Sequence, residues 1–256
     1  MLPGYQAGWA FFLDLDGTLL DLAERPDAVR PARELPALLR HLHAGAGGAL
    51  ALISGRGLSD IDGLFPGMKL PAAGQHGLER RAADDIIHVR AFGQANLRQV
   101  SRQLERFVSR RPGTLLEEKG YTLALHYRLA PQYAREAQQA ADAALQALGS
   151  EFELQHGKKV LEIKPGGTDK GTAIEAFMSE APFNGRVPVF LGDDHTDEHG
   201  FDVVNRLGGF SIKVGEGSSI APARLENPAA ARAWLGGWVE WARAAGLPGV
   251  EHAQPA

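Results

Sequence analysis

The chain contains no cysteine, which excludes disulfide bonds, thiolate metal sites and cysteine nucleophiles. It has no apolar run of the roughly 20 residues that a membrane-spanning helix needs. Its N-terminus also lacks the basic and apolar segments of a secretory signal, so we expect a cytoplasmic protein without a membrane partner. Charge of one sign is not in large excess either: the formal net charge is -4 over 256 residues, and this composition does not favour nucleic acid as a partner.

Short apolar runs alternate with longer amphipathic segments. The apolar runs predict buried strands at 9–13, 49–53, 188–191 and 210–214. The amphipathic segments predict helices that include 32–43, 170–179 and 201–206. Apolar strands that alternate with helices indicate a parallel sheet covered on both faces. The predicted fold class is therefore α/β, with a doubly wound parallel sheet.

The pattern changes in the middle of the chain, where helical segments are interleaved with strands that alternate polar and apolar residues. These segments lie at 96–109, 122–127, 131–148, 152–155 and 160–163. Their order predicts a small α+β domain inserted into the parallel-sheet core. We expect the core to comprise 1–87 and 164–256, and the inserted domain to comprise 88–163.

Two aspartates, Asp14 and Asp16, follow the first predicted strand. Ligands of open α/β sheets bind at this end of the strands, and extended geometry would place both side chains on one face. One carboxylate can attack phosphorus to form an acyl phosphate, while the other protonates the leaving alcohol and then activates water. Since two carboxylates repel a phosphate, the site needs a divalent cation, and oxygen ligands favour Mg2+. The Asp-Gly dipeptide is equally typical of a plain turn.

Two further segments each carry a candidate phosphate-binding residue at the end of a strand or at the start of a helix. Ser54 comes after the second strand, where a hydroxyl and nearby backbone N–H groups suit a phosphoryl oxygen, although a serine there can also cap a helix. Asp169 is predicted to cap a helix whose first residue is Lys170. The ammonium of that lysine would neutralise phosphate, or it would lie on the surface of an exposed turn.

An acidic loop follows the strand at 188–191. Four acids within six residues, Asp193, Asp194, Asp197 and Glu198, are costly without a cation or a network of caps. The loop therefore predicts a metal site, and a solvated acidic loop is the alternative. His195 is predicted to be exposed, because Mg2+ prefers oxygen ligands to imidazole.

In this order, Asp-x-Asp-Gly-Thr, Ser, Lys and Gly-Asp-Asp-x-x-Asp resemble the motifs of the haloacid dehalogenase-like superfamily. The resemblance implies that Asp14 is nucleophile and metal ligand. Asp16 would be general acid and base and give its backbone carbonyl to the metal. Ser54 and Lys170 would hold the transferring phosphoryl group. Asp193 would bind Mg2+ directly, with Asp194 and Asp197 bound to the ion or to its ligands.

A longer resemblance covers nearly the whole chain. The segments 14–20, 51–56, 73–80, 117–128, 157–171 and 188–214 are similar to those of bacterial trehalose-6-phosphate phosphatases. This implies hydrolysis of trehalose 6-phosphate, a functional link to trehalose-6-phosphate synthase, and an inserted domain that acts as a cap over the substrate. It assigns the distal glucose to Glu117, Lys119 and Glu162, which are expected at strand ends and in loops. The remaining residues that it assigns to substrate binding are Arg56, His126 and Arg128.

Several alternatives remain at this point. A Glu/Lys pair is often only a surface ion pair, and the segment 75–77 would either line the cleft or form a structural turn. The same catalytic residues would also serve another sugar-phosphate phosphatase or a phosphomutase. A non-catalytic subunit that binds a sugar phosphate is the alternative from another functional class, and the intact nucleophile argues against it.

Overall fold

The computed structural model describes residues 1–22, 29–90 and 97–250. The chain divides into two compact units. The core unit comprises Met1–His88 and Asp169–Ala256, and the inserted unit comprises Val89–Thr168, where the sequence predicts 88–163. No helix of the described ranges is both long and apolar enough to cross a membrane.

The strands of the described residues are numbered in chain order. They are β1 (Trp9–Leu13), β2 (Leu50–Ile53), β3 (Ala72–Gly74), β4 (Glu79–Arg81), β5 (Ile87–Val89), β6 (Leu115–Glu118), β7 (Leu123–His126), β8 (Phe152–Gly157), β9 (Val160–Pro165), β10 (Val187–Gly192), β11 (Phe210–Val214) and β12 (Ala223–Leu225). The helices are α1 (Leu35–Gly45), α2 (Leu58–Leu64), α3 (Leu97–Val108), α4 (Ala134–Leu148), α5 (Lys170–Met178), α6 (Glu198–Arg206) and α7 (Pro228–Ala244).

The large sheet has the strand order β12-β11-β10-β1-β2-β3-β4-β5. Its strands from β12 to β3 are parallel, and β4 is antiparallel to β3. The predicted α/β fold with a parallel sheet is confirmed. The carboxyl ends of β1, β2 and β10 therefore meet at one edge of the sheet, which is where the predicted catalytic loops begin.

Strand β1 lies in the centre of this sheet, and all five of its side chains are fully buried. Alternate side chains point to opposite faces. Trp9 and Phe11 pack against two tryptophans of α7, with ring centroids 5.8 and 4.9 Å apart. Phe12 points to the opposite face of the sheet, and its ring centroid lies 6.1 Å from that of Phe177 of α5. Packing on both faces fixes the strand, and with it the position of Asp14 immediately after its end.

The inserted unit is a four-stranded antiparallel sheet with the order β6-β7-β9-β8. Leucines and isoleucines of one face, such as Leu125 and Leu161, form its apolar core with α3 and α4. The alternate positions form the other face. There, one row across the sheet consists of Glu117, Ala124, Glu162 and Gln155, so a polar row lies on the face that these two helices do not cover.

The predicted elements agree with these bounds to different degrees. The strands at 9–13 and 210–214 are confirmed at both ends, whereas β10 extends one residue beyond its prediction on each side. The helix predicted at 32–43 begins later, at Leu35. The predicted start of α3 at residue 96 lies outside the described residues, and the helix is described from Leu97.

Candidate active site

Asp14 is the first residue after β1, and its carboxylate is held by two donors. The Thr18 hydroxyl donates to Oδ2 at 2.7 Å, and the Lys170 ammonium donates to Oδ1 at 2.7 Å. Both Asp14 and Thr18 are buried. Because each carboxylate oxygen has its own donor, the orientation of Asp14 is fixed before any substrate arrives. Thr18 closes the Asp-x-Asp-Gly-Thr motif, but the motif alone does not predict this contact.

Lys170 is the first residue of α5, as predicted, and Asp169 caps that helix. The Asp169 carboxylate accepts from the Thr172 backbone N–H, and the Thr172 hydroxyl completes the capping box. Lys170 itself is buried, so the alternative of a surface lysine is wrong. Its ammonium lies 2.7 Å from Asp14 and 2.5 Å from Asp197, and these two carboxylates compensate for its loss of hydration.

Three carboxylates converge at this point. Asp14, Asp193 and Asp197 each offer an oxygen, and these oxygens lie within 4.8 Å of one another. Gly17 makes room for this acidic triad: its φ is +85°, and a Cβ there would lie 2.2 Å from an Asp193 carboxylate oxygen. The donor set consists of carboxylates alone, which suits a hard divalent cation. The residues therefore fit the magnesium site that the sequence predicts.

Within the acidic loop, Asp194 and Asp197 have different contacts. Asp194 caps the short 3-10 turn His195–Asp197, and its Oδ1 accepts from the His195 backbone N–H at 2.8 Å. Asp197 is fully buried and belongs to the acidic triad. The assignment of Asp194 to the metal stays a prediction. The exposed position of His195 is confirmed, since about half of its side-chain surface (54%) is accessible.

The burial of the triad perturbs two pKa values. Burial raises the pKa of Asp14, the charge of Lys170 opposes this, and the charges of Asp197 and Asp193 raise it further, so the pKa lies well above its ordinary range. Burial lowers the pKa of Lys170, but the charges of Asp14 and Asp197 outweigh it and the net shift is upward. The lysine therefore stays charged, and further positive charge beside Asp14 would favour its ionised form.

Lys213 is another buried cation beside this loop, and the sequence analysis missed it. It lies on β11 in register with Gly192, and its ammonium donates to the backbone carbonyl of Asp193. A lysine within an apolar strand is itself a signal, because lysine is almost never buried without a partner. Lys213 thus anchors the backbone of a triad residue from the neighbouring strand.

Asp16 has a different environment from Asp14. Its carboxylate forms a bidentate ion pair with Arg56, at 2.6 and 2.7 Å, and one third of its side-chain surface is accessible. The Asp16 carboxylate is not part of the acidic triad. Its predicted roles, in proton transfer and through its backbone carbonyl, stay predictions, as does the predicted contact of Arg56 with substrate.

Ser54 is buried at the end of β2, and its hydroxyl accepts from the Arg56 backbone N–H at 3.1 Å. The N-cap of α2 is Gly57, so the alternative that Ser54 caps this helix is wrong. The segment Gln75–Gly77 braces the same loop. The Gln75 N–H donates to the Arg56 carbonyl at 2.9 Å, and the His76 N–H donates to the Ser54 carbonyl at 3.1 Å.

This bracing turn has an unusual backbone. Gln75 and His76 both have left-handed φ angles, +47° and +57°, which cost of order 1–3 kcal/mol each in residues other than glycine. Both residues are buried. The segment is thus a structural turn that supports the Ser54 loop.

The predicted sugar-binding residues of the inserted unit form a connected polar cluster. The Lys119 ammonium lies 3.5 Å from Glu162 Oε1 and 3.9 Å from Glu117 Oε2. Thr122 donates to Glu162 Oε1 at 2.9 Å, and His126 Nε2 lies 2.9 Å from Glu117 Oε2. We call these five residues the polar cluster. Sequence reasoning had not singled out Thr122.

One of the predicted sugar-binding residues lies elsewhere than expected. Glu162 lies inside β9, paired with Ala124 of β7, so its predicted position at a strand end or in a loop is wrong. Its side chain is buried. Arg128 follows β7 and donates at 3.4 Å to the Lys158 carbonyl, outside the contacts that join the polar cluster.

The polar cluster also perturbs a pKa. Burial raises the pKa of Glu117, but the hydrogen bond from His126 and the charge of Lys119 outweigh it, so the pKa lies below its ordinary value. Glu117 is therefore an ionised acceptor at neutral pH. The cluster combines two carboxylates with a cation and a histidine, and such a set of donors and acceptors suits a ligand with many hydroxyl groups.

Known proteins are similar to this chain over most of its length. A family model described as trehalose-phosphatase matches residues 12–228. The chain is 46% identical over 233 residues to the trehalose-6-phosphate phosphatase of Escherichia coli, which covers 91% of this chain and 87% of that protein. It is 48% identical over 207 residues to a probable trehalose-phosphate phosphatase of Sinorhizobium fredii, with 81% and 78% covered.

A solved structure has the same fold. The C-terminal domain of the C. albicans trehalose-6-phosphate phosphatase superposes with a TM-score of 0.79. The alignment covers 92% of this chain and 93% of that chain at 20% sequence identity. At this identity the likeness concerns the fold alone, and it agrees with the predicted α/β fold.

Proposed function

The chain belongs to the trehalose-phosphatase family, and we propose that it hydrolyses trehalose 6-phosphate to trehalose and phosphate. The observation that carries this proposal is the buried Asp14 carboxylate, whose two oxygens are held by Thr18 and Lys170 beside an acidic triad. A protein that only binds a sugar phosphate has no use for an oriented nucleophile. The non-catalytic alternative is therefore not favoured.

In the first step, an Asp14 carboxylate oxygen attacks phosphorus while the bond from phosphorus to the sugar oxygen breaks. Asp16 donates a proton to that oxygen, so trehalose leaves as a neutral alcohol and the phosphoryl group stays on Asp14. In the second step, Asp16 removes a proton from water as the water attacks phosphorus. The bond to Asp14 then breaks, and phosphate is released. Proton transfer of this kind contributes typically about 10²–10⁴-fold.

The remaining core residues neutralise charge and orient the phosphoryl group. The Lys170 ammonium neutralises the negative charge shared by Asp14 and the phosphoryl group, and the Ser54 hydroxyl donates to a phosphoryl oxygen. Asp14, Asp193 and Asp197 would hold Mg2+, which when bound supplies positive charge that offsets the repulsion between carboxylates and phosphate. The ion pair between Asp16 and Arg56 opens when Asp16 meets the sugar oxygen, which leaves the guanidinium able to bind substrate.

The polar cluster would supply the specificity for trehalose. Glu117 and Glu162 accept hydrogen bonds from sugar hydroxyls, and Lys119 donates to them. A disaccharide has many hydroxyls but no charge apart from its phosphate, so its recognition needs donors and acceptors fixed on rigid elements. Strands β6, β7 and β9 provide such elements. His126 and Arg128 are the further residues that we assign to this role.

The decisive experiment is phosphate release from trehalose 6-phosphate, with Mg2+ and with excess chelator, against glucose 6-phosphate and other sugar phosphates. We expect a preference for trehalose 6-phosphate and no turnover in chelator. Asp14→Asn should be inactive, and Asp202→Asn, on an exposed part of α6, is the matched control. Preference for another sugar phosphate would favour a different phosphatase or a phosphomutase, and full activity in chelator would exclude the metal site.

Two broader expectations stay predictions. These are the cytoplasmic location and the functional link to a trehalose-6-phosphate synthase, which would supply the substrate.

A further inference from the structure

We propose that Thr122 is a positioning residue for substrate specificity, because its buried hydroxyl fixes the Glu162 carboxylate in the orientation that binds sugar. The inference rests on the proposed function, in which Glu162 contacts the glucose that carries no phosphate. Thr122 itself would not touch the substrate. It would act through the one carboxylate that it holds.

The geometry of the contact is specific. Thr122 is completely buried, and its Oγ1 donates to Glu162 Oε1 at 2.9 Å. Glu162 lies on β9, which pairs with β7 through Leu123 and Ile163 and through Ala124 and Glu162. Thr122 immediately precedes β7 and is in phase with Ala124, so its side chain lies on the same face of the sheet as Glu162.

Thr122 also closes the turn that carries Lys119. The Lys119 backbone N–H donates to the Thr122 carbonyl at 3.1 Å, and Gly120 allows the turn with a φ of +79°. The Lys119 ammonium approaches the same Glu162 oxygen as the Thr122 hydroxyl, but at 3.5 Å. One residue thus places both Glu162, through its side chain, and Lys119, through its backbone.

The hydroxyl is better suited than the ammonium to fix Glu162. The Lys119 ammonium lies between two carboxylates, 3.5 Å from Glu162 and 3.9 Å from Glu117, and its side chain has four rotatable bonds. A single side-chain torsion, restricted by β-branching, positions the threonine hydroxyl, and its contact of 2.9 Å is the shorter one. A charge attracts the carboxylate from a range of directions, whereas the short hydrogen bond selects one.

A purely structural role is the competing explanation. A buried carboxylate needs donors whatever its function, and a variant would then lose stability without losing specificity. The two explanations differ in what kinetics should show. A positioning residue changes kcat/KM for the sugar substrate more than for a small aryl phosphate, because the aryl phosphate has no distal glucose that Glu162 could bind.

The test compares Thr122→Val, which keeps the shape and removes the donor, with Thr122→Ser, which keeps the donor. Thr114→Val is the matched control, because Thr114 is a buried threonine of the inserted unit whose hydroxyl donates to the Arg111 carbonyl at 2.7 Å. For each variant, kcat and KM are measured with trehalose 6-phosphate and with p-nitrophenyl phosphate, and thermal unfolding is recorded.

We expect Thr122→Val to lower kcat/KM for trehalose 6-phosphate, relative to the aryl phosphate, by about 10- to 150-fold, the range for a hydrogen bond to a charged group. Thr122→Ser should restore most of this ratio, and Thr114→Val should leave it unchanged. In a Glu162→Ala background, Thr122→Val should have no further effect on the ratio. If Thr122→Val does not fold, Thr122→Cys, with its weaker donor, should give an intermediate loss.

An unchanged ratio in Thr122→Val, or an equal loss with Thr122→Ser, would overturn the inference. So would an additional loss in the Glu162→Ala background. Failure of the proposed function looks different, because the wild-type protein would then prefer another sugar phosphate. That preferred substrate would replace trehalose 6-phosphate in the comparison, and the same order of variants would still be required.

Discussion

Asp193 and Asp197 both belong to the acidic triad, yet the structure predicts different effects on folding when each loses its charge. Asp197 is fully buried and paired with Lys170 at 2.5 Å. Asp193 is partly accessible, and its charge disfavours ionisation of Asp14. Asp197 therefore stabilises the folded chain without metal, whereas the charge of Asp193 contributes once a cation is bound. Asp193→Asn and Asp197→Asn separate the two effects.

The cost of Asp197→Asn follows from its contacts. Asp197 accepts from the Lys170 ammonium through Oδ1 and from the Asp194 backbone N–H through Oδ2, at 2.9 Å. An asparagine has one oxygen, so one of these two donors would face an NH₂ group. The loss of a hydrogen bond with a charged partner costs about 1.5–3 kcal/mol. Asp193→Asn should cost less or be stabilising, because it removes a like charge from Asp14.

Urea unfolding followed by tryptophan fluorescence is a suitable assay. The chain has four tryptophans, and all of them lie in the core unit, at positions 9, 234, 238 and 241. In chelator, Asp197→Asn should show the loss given above, and Asp193→Asn should not. At a Mg2+ concentration of about 100 times Kd, the bound ion adds about 2.7 kcal/mol to the wild-type stability, and Asp193→Asn should lose most of this gain.

The reasoning is refuted if the order is reversed in chelator, with Asp193→Asn less stable than Asp197→Asn. It is equally refuted if Asp193→Asn keeps the full gain in stability with Mg2+. The exposed Asp202→Asn serves as the control for a carboxylate-to-amide change, and it should match the wild type in both conditions.

Three further predictions concern catalysis and recognition. Asp14→Asn should lower turnover of trehalose 6-phosphate by several orders of magnitude, and Asp16→Asn by about 10²–10⁴-fold; near-normal turnover of Asp14→Asn in a phosphate-release assay would exclude the aspartyl-phosphate. Alanine at Glu117, Lys119 or Glu162 should lower kcat/KM for trehalose 6-phosphate by about 10- to 150-fold with little change for an aryl phosphate; equal losses with both substrates would indicate a structural role. Because the pKa of Glu117 is lowered, its ionised form contributes stability that is fully present above the ordinary value of 4.5 and is lost as the pH falls through the lowered pKa. The stability of Glu117→Gln should therefore fall less than that of the wild type over that acidic range. The measurement is hydrogen exchange of the β6 and β7 amides in both proteins at each pH. If protection falls with pH in parallel in the two proteins, the lowered pKa of Glu117 is contradicted.

The parts of the fold that the sequence predicts best are those that a single physical requirement determines. A central parallel strand is buried on both faces, so it must be a continuous apolar run, and Trp9–Leu13 is one. The start of α5 follows from the preference for aspartate at helix N-termini, and Asp169 has that role. In both cases a short stretch of sequence is enough, because the determining contacts are local or uniformly apolar.

Elements that depend on distant partners were not predicted. The helix Pro228–Ala244 contains Gly236 and Gly237, which weaken helix formation, and its packing onto Trp9 and Phe11 stabilises it. The strand Leu115–Glu118 ends in two glutamates, which are depleted in strands. Its pairing with β7 and the contacts of Glu117 with Lys119 and His126 explain it, and neither is visible in local propensity.

The candidate active site also has features that local sequence predicts and features that it does not. Spacing along the chain predicts that Asp14, Lys170 and the acidic loop meet at one edge of the sheet, and the structure brings them together. Spacing does not reveal which carboxylate of the loop turns inward. That choice depends on the 3-10 turn, in which Asp194 caps the backbone while Asp197 reaches Lys170. Which side chains contact each other within a loop depends on the backbone angles of the loop, and residue types alone do not determine those angles.

The two aspartates after β1 illustrate how two similar groups two residues apart can perform different tasks. Asp14 is buried, and Thr18 and Lys170 fix both of its oxygens, so it can meet phosphorus in one orientation. Asp16 is one third accessible and has a long, flexible arginine as its partner. A proton donor must reach the leaving oxygen and later a water molecule, and a partner that can move aside permits both. The neighbouring elements thus favour the proposed division of roles, in which Asp14 attacks phosphorus and Asp16 transfers the proton, although the two residues are neighbours in sequence.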